Sequence, residues 1–191
     1  MNICGNESCC HYKRSLRHTL VDEIVHLDAQ SQLNSIINRN DLFLNKPELY
    51  PSSDVCRGSY YMSRSKTENQ LTLIVHCDGA PLIRSSKQSI WPLFASVVEL
   101  PPPIREHQRN IILLALWASK RKPAANIFLD ETINDLEKLM KSGMTLFLRG
   151  VEYKISLSMQ FFISDLPAKA LFLRTISFNG YSACTNCLMK G

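Results

Sequence analysis

Residues Leu71–Asp78 read LTLIVHCD, a short apolar and β-branched run that ends on a carboxylate and is followed at once by Gly79. The run is too short for a buried helix and too continuously apolar for a strand with one wet face. It is therefore predicted to be a central strand, buried on both faces. An acid at the exit of such a strand is presented at the rim of the sheet, so the rest of the chain is read for what else reaches that rim.

Downstream, Ser89–Leu100 (SIWPLFASVVEL) and Asn110–Ser119 (NIILLALWAS) are two further strand candidates, separated by the turn-rich PPPIREHQR. Pro92 places the start of the first of these after itself, or places that strand at an edge. The period then changes to helical, with Leu129, Ile133, Leu136 and Met140 on one face and Gly143 where a C-terminal cap belongs. A hairpin about Arg149-Gly150 leads into KISLSMQFFIS, a fourth strand, and DLPAKALFLRTIS follows as a short helix with Pro167 in its first turn. Three strands, a helix, a strand and a helix make an α/β chain with a mixed sheet. The first three strands suit an antiparallel meander, and the crossover helix lets the fourth lie parallel to the first.

Upstream, Leu16, Leu20, Ile24 and Leu27 follow helical spacing, and Leu33, Ile36 and Ile37 resume it, so residues 1–45 are expected to be a helical segment with a Cys-rich start. Residues 46–70 collect Pro, Ser, Asp and Gly without a period and read as a linker or long loop. Residues 71–191 form the main domain.

Bulk properties narrow the setting. At 191 residues and 45% hydrophobic content the chain can supply a real core. Its longest apolar run, Ile111–Ala118, is far short of the roughly 20 residues that cross a bilayer, so no membrane span is expected. The N-terminus lacks the apolar stretch of a secretory signal, which gives an intracellular expectation. Residues 1–70 hold eight basic and eight acidic side chains, and residues 71–191 hold 14 and nine, so the net charge of +5 lies in the second part. An anionic partner is expected to meet that part.

Asp78 and Asp165 both end predicted strands. If those strands are parallel neighbours, both carboxylates emerge at one rim, where oxygen ligands suit a hard divalent cation such as Mg²⁺. Bland readings stand beside this one: Asp165 as the cap of the following helix, and Asp78-Gly79 as a turn. Lys120-Arg121-Lys122 could contact a phosphate backbone, or be a solvated loop. Trp91 and Trp117 read as core, Cys77 as turned to the opposite face from Asp78, and His76 as a buried, hydrogen-bonded side chain. Cys184 and Cys187 form a C-x-x-C knuckle, half of a tetrahedral Zn²⁺ site, a redox pair or idle thiols. Cys4, Cys9, Cys10 and His11 read as free thiols and a neighbour rather than a zinc knuckle, because their spacing is poor.

Taken in order, Asp78-Gly79, Ser85-Ser86, Trp91-Pro92, Glu99-Leu100-Pro101, Arg105, Leu116-Trp117, Lys122-Pro123, Asp165, Pro167-Ala168-Lys169-Ala170 and Asn179-Gly180 ahead of Cys184 and Cys187 resemble the motif series of the transposases of CACTA-type (En/Spm-like) DNA transposons. The resemblance covers about residues 71–191. It implies an RNase H-like core with a DDE set of metal ligands, Asp78 as the first catalytic carboxylate and Asp165 as the second, Mg²⁺ or Mn²⁺ as the metal, DNA as the partner, and a nuclear location. It also implies further zinc ligands beyond Cys187 and a third carboxylate, neither of which this sequence supplies. Glu99, Glu131, Glu137 and Glu152 do not occupy the family's third position. The chain is accordingly expected to be a truncated transposase core, inactive alone in DNA cleavage and strand transfer. The alternative is a non-catalytic DNA- or protein-binding module derived from a transposable element.

Overall fold

The computed structural model describes residues 2–3, 5, 7–10, 12–16, 22–44, 46–63, 69–83, 88–177, 179–181 and 183. Its centre is strand β4 (Gln70–Cys77), formed by the run read first, and Leu71–Val75 are all buried. The strands that precede it in the chain are β1 (Asn2–Ile3), β2 (Ser15–Leu16) and β3 (Glu23–His26). Those that follow are β5 (Ala80–Ile83), β6 (Gln88–Val97), β7 (Ile112–Ser119), β8 (Met144–Leu148) and β9 (Val151–Ile163). The main sheet has the order β3-β7-β6-β4-β9-β8, with β5 paired to β6, while β1 and β2 make a separate two-stranded ribbon.

The meander is present: β4 pairs antiparallel with β6, and β6 antiparallel with β7. The crossover is helix α3 (Ala125–Ser142), which allows β9 to lie parallel beside β4. Gly143 ends α3 at φ 71°, and a Cβ there would stand 2.9 Å from the Ile155 carbonyl oxygen, so the position takes glycine on both counts. Arg149 and Gly150, both at positive φ, turn β8 back into β9 as the hairpin reading expects. Helix α4 (Leu166–Leu173) closes the described fold.

One core gathers the odd-numbered residues of β4 (Leu71, Leu73, Val75, Cys77) with Leu33, Ile36 and Ile37 of helix α1 (Ala29–Asn40), Phe128 and Leu136 of α3, and Ala168 of α4. Ile74, pointing the other way, packs with Val98, Tyr61 and the segment about Val55-Cys56. Helix α2 (Ser59–Ser63) and the short 3₁₀ turns at Pro47–Leu49 and Val55–Arg57 thus cover part of the second face. Among the described residues no helix is long and apolar enough to cross a membrane.

Three local expectations are corrected. Glu23–His26 is an edge strand paired with Ala115–Ala118 of β7, not a continuation of a helix. β7 offers an unpaired outer edge, and that tertiary partner outweighs the helical spacing of a short amphipathic run. The helix begins only at Ala29, where Asp28 caps it by accepting the N–H groups of Gln30 and Ser31. β6 runs through Pro92 and is central; pairing with β5 ends at Ile90 and pairing with β4 starts at Leu93, so the missing N–H falls in the gap between them. Ile133 is exposed, because the buried stripe of α3 runs through Ala125, Phe128, Thr132 and Leu136 instead.

Candidate active site at the carboxyl rim of the sheet

Parallel strands deliver their ends to one side. In the β4–β9 ladder His76 is level with Ile163, and carrying that register two residues on sets Asp78 level with Asp165. Neighbouring strands lie about 4.8 Å apart, so the two backbones are side by side at this level; β9 ends there, whereas the chain beyond Asp78 continues along β6 as β5, with Cys77 opposite Leu93 and Ala80 opposite Ile90. Both aspartates are exposed. Asp78 Oδ1 accepts the Gly79 N–H at 2.7 Å, and Asp165 Oδ1 accepts the Ala168 N–H at 2.7 Å. Asp165 is therefore the N-cap of α4, with Pro167 in the first turn where a missing donor does no harm. Capping and ligand binding do not compete, since the second oxygen of each aspartate has no partner among the described residues.

The neighbours of Asp78 take the places that strand alternation gives them. Cys77 is buried, and burial first, then the nearby Asp78 charge, pushes its thiol up to about 12, so it is inert at neutral pH. His76 is half-buried and stacks on Phe94 at 5.4 Å, and burial lowers its pKa, which keeps the ring neutral.

β7 is also parallel to β4, since both run antiparallel to β6. Lys120, Arg121 and Lys122 therefore leave the sheet on the same side, two strand spacings or about 10 Å across from β4 and about four residues, roughly 13 Å, further along than Asp78, since Ala115 is the residue level with Cys77. All three are exposed. Arg121 is held by Asp22 at 2.8 Å, whereas Lys120 and Lys122 make no ion pair among the described residues. Lys169 is half-buried in α4, one turn beyond Asp165. The sequence reading gave Lys169 only a place in a motif; its spacing of four residues from the capping aspartate was the available signal.

A second cluster of ionisable groups sits at the opposite end of the sheet. Glu99, 1% exposed, accepts the Thr72 N–H and the Tyr61 hydroxyl, each at 2.7 Å, while its carbonyl accepts the Tyr50 hydroxyl at 2.6 Å. Arg105 donates to the Leu100 carbonyl at 2.8 Å and makes a two-pronged pair with Asp54 at 3.1 Å. Burial raises the Glu99 carboxyl. Burial alone would also raise Asp54, but the Arg105 guanidinium and the Cys56 N–H outweigh it and bring Asp54 below the usual carboxylate range. The Glu99-Leu100-Pro101 and Arg105 motif thus clamps residues 50–61 to the sheet, far from Asp78. Glu131 lies beside His26, and Glu137 beside Lys141. Among the described residues no three His, Cys, Asp or Glu side chains converge as a metal site.

Cys10, Cys56 and Cys77 form no disulfide among the described residues. Cys4, His11, Ser85, Ser86, Cys184 and Cys187 lie outside the described residues. A family model described as transposase family tnp2 matches residues 60–191, which includes every element of the rim apart from β3 and its lead-in. Among curated proteins none matches the chain.

Proposed function

Because the chain belongs to the tnp2 transposase family, we propose that its carboxyl rim is the metal-binding part of a DNA-cleaving and strand-transferring centre, with Asp78 and Asp165 as ligands. The observation that carries this reading is the parallel β4–β9 register, which aligns two aspartates 87 residues apart in sequence at adjacent strand ends. Two exposed carboxylates, each with an oxygen that has no partner among the described residues, fit a hard cation such as Mg²⁺ or Mn²⁺. Such a metal, when bound, polarises a phosphoryl oxygen and lowers the pKa of a coordinated water. The chain's own part is to hold the two acids at one place and to set Lys120, Lys122 and Lys169 where a phosphate backbone would pass.

The strand order β7-β6-β4-β9, antiparallel except for the last pair, supports the RNase H-like form of this reading. The ordered motifs from Asp78-Gly79 to Asn179-Gly180 support its CACTA-type form and, with that, action on DNA in the nucleus. Two aspartates are one acid short of a DDE set. A third carboxylate has to reach the rim from another segment or molecule before strand cleavage proceeds.

The test is Mn²⁺ titration of the full chain followed by paramagnetic resonance, with DNA affinity measured across a salt series. Weak Mn²⁺ binding is expected, lost in both Asp78→Asn and Asp165→Asn. DNA binding is expected to weaken as salt rises and to weaken further in Lys120→Ala/Lys122→Ala. Mn²⁺ retained with both aspartates replaced sinks the metal reading, and salt-sensitive DNA binding that survives that change turns the chain into a non-catalytic binding module. Robust Mn²⁺-dependent nicking by the chain alone, lost in Asp78→Ala, would show that no third acid is needed.

A further inference from the structure

The residue after Asp78 has no room for a side chain. A Cβ at Gly79 would lie 2.5 Å from Cζ2, 2.7 Å from Cε2 and 2.8 Å from Cη2 of Trp91. The backbone that carries Asp78 therefore rests on the indole ring, and the need for glycine is steric. Trp91 lies in β6, is buried, and meets the ring of Phe172 edge-on at 6.1 Å. Phe172 in turn meets Phe162 edge-on at 5.8 Å and leans on Phe128 at 6.2 Å, and Phe128 meets Trp117 at 6.1 Å.

This row of rings connects the supports of both aspartates. Gly79 adjoins Asp78; Phe162 lies in β9 three residues before Asp165; Phe172 lies on α4, the helix that Asp165 caps. The Trp91 Nε1–H is buried and has no hydrogen-bond partner among the described residues, so packing alone fixes the ring. Leaving such a buried donor unmet is unfavourable. A shape contact that tolerates this cost is specified by geometry, since a smaller apolar ring would fill much of the space without the penalty.

We propose that Gly79 and Trp91 are positioning residues: the indole is a rigid spacer, braced through Phe172, that sets Asp78 at its distance from Asp165. The inference deepens the metal reading above and rests on it. Outer contacts that orient a ligand typically change metal affinity by about 10- to 100-fold when lost.

The experiment measures Mn²⁺ affinity and thermal unfolding on the full chain for wild type, Gly79→Ala, Trp91→Phe and the double variant. Gly79→Ala is expected to weaken Mn²⁺ binding by about 10-fold or more. In the Trp91→Phe background, where Cζ2 and Cη2 are gone, the added methyl is expected to cost much less. Unchanged Mn²⁺ affinity in Gly79→Ala, with only a lower melting temperature, assigns the contact to packing alone and overturns the proposal. So does a loss that is the same with or without the indole. If Gly79→Ala does not fold, Phe172→Leu at the far side of the brace serves instead: weaker Mn²⁺ binding supports the proposal, and unchanged binding overturns it. A wild-type chain that binds no Mn²⁺ fails at the earlier step, defeating the metal reading and this inference with it.

Discussion

The two ends of β4 carry the same kind of chemistry in opposite states. At the amino end, Glu99 and the Asp54–Arg105 pair are buried and provided with partners from Tyr61, Thr72, Arg105 and nearby carbonyls. At the carboxyl end, Asp78 and Asp165 are exposed, and each uses one oxygen on a neighbouring amide. Acidity alone therefore does not mark a site. A carboxylate whose oxygens are all satisfied inside the protein holds the fold together, while one with an oxygen left over at a strand end is available to a ligand.

The largest effect expected from this contrast is on stability at the buried end. Arg105→Ala leaves Asp54 charged and uncompensated and removes the donor to the Leu100 carbonyl, and a loss of about 3–5 kcal/mol is expected by denaturant unfolding. A loss under about 1 kcal/mol would show that water replaces the guanidinium, and would erase the contrast with the rim. Phe128→Ala, which removes a fully buried ring shared by α3 and the aromatic row, is expected to cost a similar amount, about 3–5 kcal/mol.

At the rim the same kind of change is expected to cost far less. Asp165→Ala removes the α4 cap and should cost about 1 kcal/mol, while Asp165→Asn keeps a good cap and should leave stability nearly unchanged. The pair of variants separates the two roles of this residue, since both should lose Mn²⁺ and only one should lose the helix cap.

The smallest effect is a pH dependence with a definite sign. Burial raises Glu99, so the folded chain holds that proton more tightly than the unfolded chain does. Its contribution is fully present below the ordinary glutamate range and is lost as pH rises through the raised folded value. Asp54 works the other way, contributing above the ordinary aspartate range and losing that contribution as pH falls through its lowered folded value. Glu99→Gln is expected to flatten the upper window and leave the lower one unchanged, as read by urea midpoints across pH. A slope that persists in Glu99→Gln would place the titrating group elsewhere.

Much of this arrangement was legible in the chain itself. The continuous apolarity of Leu71–Val75 gave a central strand, and the switch to helical period gave the crossover helix, since these periods report directly on which faces are buried. The N-terminal run was misread because four residues at an open sheet edge take their conformation from the partner strand and not from their own spacing. Residues 46–70 read as a linker or long loop, and the contacts that pack part of them could not be seen, because Tyr50, Asp54 and Tyr61 have no local period and their partners at Glu99 and Arg105 lie 38 to 51 residues away. The Gly79–Trp91 contact was hidden for the same reason: nothing along the chain says which side of a glycine meets an indole.

Sequence alone determined the strand-ending aspartates, the hydrophobic periods and the ordered motifs that fit a transposase family, because these are properties of neighbouring residues. Tertiary structure decided which acids share a rim, which are locked in the interior, and what sets the spacing between them. Those answers depend on strand adjacency, register and ring packing, which arise only when segments far apart in the chain meet.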